Sequence, residues 1–204
     1  MTGPFLYESG KAGKTADFGA AEAEPTMEGK VIVNGETMAR MMARLSHEII
    51  EQNPSEEEIC LIGIKRRGVP IAKRLQENIE KFSDIRVELG ELDITLYRDD
   101  LSERYTEPHV NSSVIPFDVN GKRIVLVDDV LFTGRTTRAA MAAVISLGRP
   151  KKIELCVLVD RGHRELPIRA NYVGKNIPTS RKEFVSVRVT EFDGVDEIAL
   201  SSRE

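Results

Sequence analysis

Hydrophobic and polar positions alternate along the chain in two rhythms, and the rhythms divide it into elements. From Glu36 to Gln52 the apolar residues Met38, Met41, Met42, Leu45 and Ile49 fall at helical spacing and form one stripe. Arg40, Arg44 and His47 make a second line away from it, and Asn53-Pro54 ends the helix, because a residue before proline is pushed out of the helical region. Ile59–Ile64 reads as a buried strand, followed by the basic turn Lys65-Arg66-Arg67-Gly68 and a helix opening near Val69-Pro70, where proline's missing N–H costs nothing. A strand is predicted from about Glu88 to Tyr97. The stretch from Arg98 to Pro116 has little periodicity, and a connection of that length in a compact domain is usually a lid or a binding element. Ile124–Val127 is a β-branched run ending abruptly in two aspartates. Thr137–Leu147 predicts a helix with Ala140, Val144 and Leu147 inward and Gly148 as its stop. Ile153–Val159, Glu183–Phe192 and Val195–Leu200 are predicted as further strands. Strands and helices in this alternation imply an α/β fold with a mainly parallel central sheet flanked by helices.

Residues 1–29 lack such a pattern and are rich in Gly, Ala and Glu, so they are expected to be a flexible tail, leaving residues 30–204 as the folded domain. A docking segment around Phe5-Leu6-Tyr7 is the alternative reading of that tail. A chain of 204 residues, 41% hydrophobic and 30% charged, fits one well-cored domain. No apolar run approaches bilayer-spanning length and no secretory leader is visible, so a cytoplasmic protein is expected, without a membrane role. Cys60 and Cys156 sit inside apolar runs, without CxxC spacing, and read as buried thiols. The formal net charge of −4 argues against a wholly nucleic-acid-coated surface. The charge is uneven, however: between Asp160 and Lys182 six Lys/Arg oppose two acids, a local balance of +4.

The chemistry concentrates in Val125-Leu126-Val127-Asp128-Asp129-Val130-Leu131-Phe132-Thr133-Gly134-Arg135-Thr136-Thr137. It runs from strand through an acidic pair and a small-residue turn into a helix start. Ligands of open α/β sheets bind beyond the carboxyl ends of the strands, where this pair lies. The turn offers backbone N–H groups, three threonine hydroxyls and the positive end of the next helix, which together suit one phosphate. Adjacent carboxylates suit sugar hydroxyls and can help place Mg²⁺. The turn is neither GxxxxGK[ST] nor GxGxxG, which sets aside P-loop and dinucleotide readings. An acidic strand end before an ordinary capped helix is the bland alternative.

This string resembles the phosphoribosyl diphosphate (PRPP) signature of type I phosphoribosyltransferases. The resemblance runs from Val31 to about Leu200. Leu92-Asp93-Ile94-Thr95-Leu96-Tyr97-Arg98-Asp99-Asp100-Leu101, Asp160-Arg161-Gly162-His163-Arg164-Glu165-Leu166-Pro167-Ile168-Arg169 and Gly174-Lys175-Asn176-Ile177-Pro178-Thr179-Ser180 are similar to the PyrR family, pyrimidine-operon regulators with uracil phosphoribosyltransferase activity. The resemblance implies the type I phosphoribosyltransferase fold, with a small hood over the sheet. It also implies the conversion of uracil and PRPP to UMP and diphosphate. By the same resemblance, PRPP is held by Lys65, Arg66, Arg67 and Gly68 on its diphosphate, the turn carrying a strained peptide bond. Residues Val127 to Thr137 take the ribose and 5-phosphate, with Asp128 and Asp129 on the ribose and Mg²⁺. Asp128, Asp129, Arg67 and Arg98 are the implied catalytic set, and Tyr97, Arg98, Asp99, Asp100 and Arg104 belong to a closing loop. Asp160, Arg161, Gly162 and Ile177 are the implied uracil contacts. Arg40, Arg44, His47, Arg161, His163, Arg164, Arg169 and Lys175 are the implied contacts to a leader-mRNA hairpin, with UMP or UTP as effector, in a homodimer or higher homo-oligomer. Ala43 stands where some relatives carry threonine. Two rival readings remain: a purine phosphoribosyltransferase, for which Tyr172 is the one aromatic near the hood, and a nucleotide-sensing RNA regulator without turnover.

Overall fold

The computed structural model describes residues 29–53, 58–94 and 113–202. Their elements are β1 (Lys30–Asn34), α1 (Gly35–Glu51), β2 (Glu58–Ile64), α2 (Gly68–Phe82), β3 (Arg86–Leu92), β4 (Arg123–Leu131), α3 (Arg135–Leu147), β5 (Lys152–Asp160), β6 (Tyr172–Asn176), β7 (Glu183–Arg188), α4 (Thr190–Asp193) and β8 (Glu197–Ser202). Five strands form one parallel sheet in the order β3-β2-β4-β5-β6, and three form a second, antiparallel sheet in the order β1-β8-β7.

The predicted α1 stripe is the observed one: Met38, Met41, Met42, Leu45 and Ile49 are all buried. Asn34 starts this helix by accepting the Thr37 N–H on its side chain at 3.0 Å. The central strands are buried on both faces, as the unbroken apolar run at 124–127 requires, and successive residues serve opposite cores. Leu61, Val125, Val127, Cys156 and Leu158 pack with α1, α2 and the small sheet, whereas Ile62, Ile124, Leu126, Leu155 and Val157 pack with α3. Each fully buried Leu or Ile among them contributes about 1.5–3 kcal/mol. Cys60 and Cys156 lie buried as free thiols.

Four sequence expectations change. β3 ends at Leu92, not near Tyr97, and residues 95–112 lie outside the described residues. β4 does not stop before its aspartates but continues to Leu131, because Asp128, Val130 and Leu131 keep their register with Val157, Val159 and Asp160 of β5. Leu147 is 54% exposed, so the inner face of α3 is carried by Ala139, Ala140, Ala143 and Val144 instead. The expected strand to Phe192 breaks at Arg188, and the short α4 follows, closed by Gly194. β1 and β6 were not anticipated; both are five residues long and half-exposed, too short for periodicity to register. Residues 1–28 lie outside the described residues, and so does the expectation of a tail. Among the described residues no helix is long and apolar enough to cross a membrane.

Strand order places the site. The chain leaves β2 for β3 on one side and then returns to lay β4 on the other side of β2. The loops after β2 and β4 therefore part in opposite directions and leave a crevice at the carboxyl ends of these two strands.

Candidate active site

The loop after β2 forms one wall of that crevice. Its backbone is pinned by the Lys65 N–H donating to the Leu92 carbonyl at 2.9 Å, and the Lys65–Arg66 peptide is cis. Gly68 is required here by close approach: a β-carbon would lie 2.3 Å from the Val127 carbonyl oxygen. That contact seats the basic loop directly on the strand residue preceding the acidic pair. Arg67 donates from Nε and Nη2 to both oxygens of Asp193 at 3.3 and 3.0 Å, and Lys65 Nζ lies 3.8 Å from Glu91.

Asp128 and Asp129 stand on β4 at the back of the crevice. Asp128 is 8% exposed, and its Oδ1 accepts the Asp129 N–H at 3.0 Å; Asp129 Oδ1 accepts the Val130 N–H at 2.8 Å. Burial pushes the Asp128 carboxyl well above the ordinary carboxylate range, and the neighbouring Asp129 charge adds to it. Burial also raises Asp129, against the opposing pull of the Val130 amide, Asp128 and the Arg67 charge. The pair is a desolvated negative site prepared for a partner that donates hydrogen bonds or carries positive charge.

Beyond Leu131 the chain makes the turn Phe132-Thr133-Gly134 and enters α3. Gly134 adopts φ 92°, a left-handed conformation that costs glycine nothing. The first-turn amides of α3 have no intrahelical carbonyl partner by construction, and the N-cap Gly134 itself offers no side chain to them. Thr133 Oγ1 accepts the Arg135 N–H at 3.3 Å, Thr133 and Thr136 are half-buried, and Thr137 is buried. Amides and hydroxyls at a helix start form an anion cradle.

The segment after β5 braces this turn from outside. The Thr133 carbonyl accepts the N–H groups of Glu165 and Leu166 at 3.0 and 3.2 Å. Arg164 donates to the carbonyls of Leu131, Phe132, Gly162 and Ile168 and pairs with Asp160. Arg161 is 6% exposed; its guanidinium lies 4.0 Å from the Phe132 ring centroid and donates to Thr179 Oγ1 and the Glu183 carbonyl. The Ile177 N–H donates to the Asp160 carbonyl at 2.9 Å, so the two hood segments meet beside Phe132, while Gly162 takes φ 79°. Arg135 pairs with Glu165 at 2.7 Å.

The structure therefore brings together Lys65–Gly68, Val127–Thr137, Asp160–Gly162 and Ile177 around one crevice. Tyr97, Arg98, Asp99, Asp100 and Arg104 lie outside the described residues. The eight residues expected on an RNA-facing surface divide. On α1, Arg44 reaches the Val173 and Gly174 carbonyls of β6 at 3.0 and 2.6 Å, which ties that helix to the strand bearing exposed Lys175. Arg40 is exposed and pairs with Glu36 at 2.6 Å; His47 stacks on Phe82 with centroids 4.4 Å apart. Arg169 is exposed. By contrast Arg161 is buried in the hood, Arg164 is committed to backbone carbonyls, and His163 Nε2 meets the Thr179 carbonyl at 2.5 Å. Charge alone did not separate these two groups. Asp193 was also missed, because it lies in a stretch that reads as the end of a strand.

The phosphoribosyl transferase domain family matches residues 29–191. The bifunctional protein PyrR of Caldicellulosiruptor bescii is 60% identical over 171 residues, covering 84% of this chain and 94% of that protein. The bifunctional protein PyrR of Thermus thermophilus is 56% identical over 173 residues, covering 85% and 96%. Among solved structures, the hypoxanthine phosphoribosyltransferase of Trypanosoma cruzi superposes with a TM-score of 0.66 at 17% identity, covering 86% of this chain and 97% of its own.

Proposed function

Since this chain belongs to the phosphoribosyltransferase family, and within it to the bifunctional PyrR proteins, we propose that it converts uracil and PRPP to UMP and diphosphate and also binds a pyrimidine-operon leader-mRNA hairpin under control of uridine nucleotides. The observation carrying the catalytic half is the crevice itself: a buried acidic pair on β4 lies between an anion cradle and a basic loop seated on Val127.

In the reaction the bond between ribose C1 and the diphosphate oxygen breaks, and a bond from uracil N1 to C1 forms as N1 loses its proton. The Thr133–Thr137 turn holds the 5-phosphate on its amides and hydroxyls. Asp128 and Asp129 accept hydrogen bonds from the ribose hydroxyls, and their charge favours the positive character that the ring develops. Diphosphate leaves as a dense anion, so donors directed at it lower the barrier most; Lys65, Arg67 and the loop amides fill that role. The water-excluding role expected of Arg98 and the segment Tyr97–Arg104 falls outside the described residues. Uracil is read by the backbone of Asp160–Gly162 and Ile177 beside Phe132.

Mg²⁺ fits this chemistry as a companion of PRPP. Among the described residues no group of three or more ligating side chains exists, so an all-protein cage is not available. A carboxylate pair plus substrate oxygens is the arrangement that a hard cation retaining several waters accepts. Asp128 and Asp129 would hold it, and it would supply charge neutralisation for the diphosphate.

For RNA, the support is the exposed line Arg40, Arg44 and His47 on α1, joined through Arg44 to β6 with Lys175, and Arg169 in the segment before that strand. Arg161 and Arg164 also fix the hood through the Phe132 ring and the carbonyls they reach, and exposed His163 lies on that surface. Buried thiols suit a reducing, cytoplasmic setting, and a homodimer or larger homo-oligomer completes the reading. Incubation with PRPP and each nucleobase tests the substrate: uracil turnover is expected, and guanine or hypoxanthine turnover without uracil turnover refutes it. Turnover of no base, with RNA and UMP still bound, replaces the enzyme by a pure regulator.

A further inference from the structure

The diphosphate loop is tied to the turn before the last strand by a contact that the reaction as described does not use. Arg67 grips Asp193 with two donors, Nε and Nη2, at 3.3 and 3.0 Å. The same Asp193 Oδ2 accepts the Val189 N–H at 2.9 Å, which anchors the carboxylate to its own turn. Two helical turns further along α2, Arg74 makes a parallel grip: it donates to Glu191 at 2.9 and 2.6 Å and to Asp196 at 2.9 Å, while Asp196 accepts the Thr190 N–H at 2.8 Å. Positions 67 and 74 lie on one face of the helix, so α2 holds α4 at two points. Only the first point touches the diphosphate loop; the second lies about 10 Å along the axis.

We infer that Asp193 is a positioning residue for the reaction, which aims the Arg67 guanidinium at the departing diphosphate. The inference rests on the phosphoribosyltransferase reading of the loop. A free arginine side chain samples many rotamers, whereas a planar guanidinium held along its Nε–Nη2 edge by a backbone-anchored carboxylate has its plane and the direction of its Nη1 donor fixed. A group already oriented towards developing charge needs no reorganisation during the reaction. The side chains of Arg67 and Asp193 are 29% and 20% exposed, so solvent competes only partly for either. Burial works to raise the Asp193 carboxyl, but the Arg67 hydrogen bonds and the Val189 amide outweigh it, so the carboxylate is charged at neutral pH. Arg67 also pulls on Asp129, which places its charge between the α4 turn and the acidic pair.

This role has a signature that a purely structural one lacks. Removing the Asp193 charge leaves the site more positive, so PRPP binds as well or better, while an unaimed arginine slows departure of diphosphate. Steady-state kinetics and thermal melts of the full chain test it with four variants: Asp193→Asn, Asp193→Glu, Glu191→Gln and Arg67→Ala. Asparagine retains an acceptor for the Val189 N–H. Asp193→Asn is expected to lower kcat about tenfold or more with no rise in KM for PRPP, Asp193→Glu to recover part of that loss, and Glu191→Gln to keep kcat within about twofold. A kcat for Asp193→Asn within about twofold of the parent, with Arg67→Ala impaired, overturns the inference and leaves the loop assignment standing. Equal kcat losses in Asp193→Asn and Glu191→Gln, tracking their melting temperatures, overturn it as well, since the turn would then be only a support. Full turnover by Arg67→Ala removes the loop assignment itself.

Discussion

Replacing Gly68 by alanine measures how closely the basic loop must sit on the acidic strand. The new β-carbon would meet the Val127 carbonyl oxygen at 2.3 Å, with Asp128 Cα 3.4 Å away. An ordinary carbon–oxygen contact is about 3.3 Å, so the loop or the strand must retreat by roughly 1 Å. Two effects oppose each other in stability. Alanine favours the first turn of α2 by about 0.5–1 kcal/mol over glycine, and overpacking against backbone costs about 1–3 kcal/mol. The net loss is then at most about 2.5 kcal/mol, which for a chain of this size lowers Tm by no more than about 10 °C. Activity is the sharper readout, because a displacement of about 1 Å between a catalytic group and its substrate costs about 100-fold. Diphosphate release from uracil and PRPP, followed by a coupled phosphate assay, gives kcat/KM, and a melt gives stability. Ile79→Val, deep in the same helix and fully buried, is the control; it should cost about 0.5–1.5 kcal/mol with turnover unchanged. If Gly68→Ala melts like the parent and works within about threefold of it, close seating of the loop on Val127 is not what positions the diphosphate.

Three further outcomes are expected. Asp128→Asn should lower turnover by about 100-fold or more, as loss of a charge-stabilising group does, yet raise stability at pH 7 by about 1–2 kcal/mol. The sign follows from burial: a carboxyl raised in the folded state favours the fold when protonated, so its penalty grows as pH climbs from the ordinary carboxylate range through the raised value and persists above it. The gain in Tm should therefore vanish as pH falls towards 4, and a variant less stable than the parent at pH 7 would contradict the desolvation argument. The Cys60 thiol, 1% exposed and pushed up to about 12 mainly by burial, should resist thiol reagents at pH 8 until the protein opens; rapid labelling of the native chain would place it at the surface. Lys175→Ala should weaken binding to a leader hairpin and flatten the logarithmic salt slope by about 0.7 if its contact falls in single-stranded RNA. An unchanged slope would remove Lys175 from the interface.

Legibility in the sequence followed burial. The α1 stripe and the strands at 59–64, 124–127 and 153–159 are apolar apart from Glu154, and a core explains them, so α1 and the strands at 59–64 and 153–159 were located to within a residue, whereas β4 runs four residues past Val127. Leu147 misled because α3 is short and its inner surface is almost all alanine, which lets the chain end on an exposed leucine 54% open to solvent. The acidic pair was legible as chemistry and misplaced as geometry. Two charged residues read as the end of a strand, yet β4 runs through them because β5 continues to offer hydrogen-bond partners at Val157, Val159 and Asp160. Backbone pairing thus carried two carboxylates into a site where burial raises their pKa, and the proximity of the partner strand that makes this possible is not encoded locally.

The arginines show the deeper limit of reading charge from sequence. A guanidinium has five donors and no acceptor, so its role depends on whether it meets water, phosphate or backbone carbonyls. Within one basic stretch Arg161 and Arg164 turn inward: the first lies over Phe132 and reaches Glu183, and the second donates to four carbonyls around the phosphate turn. Arg44 divides its donors between Glu48 and the edge of β6. Of these cations Arg164 meets the Leu131 and Phe132 carbonyls of the irregular turn at 131–134, where an unmet buried carbonyl would cost about 1–3 kcal/mol. On the proposed reading, part of this local positive charge scaffolds the phosphate turn, and exposed members such as Arg169 and Lys175 remain for a second anionic partner.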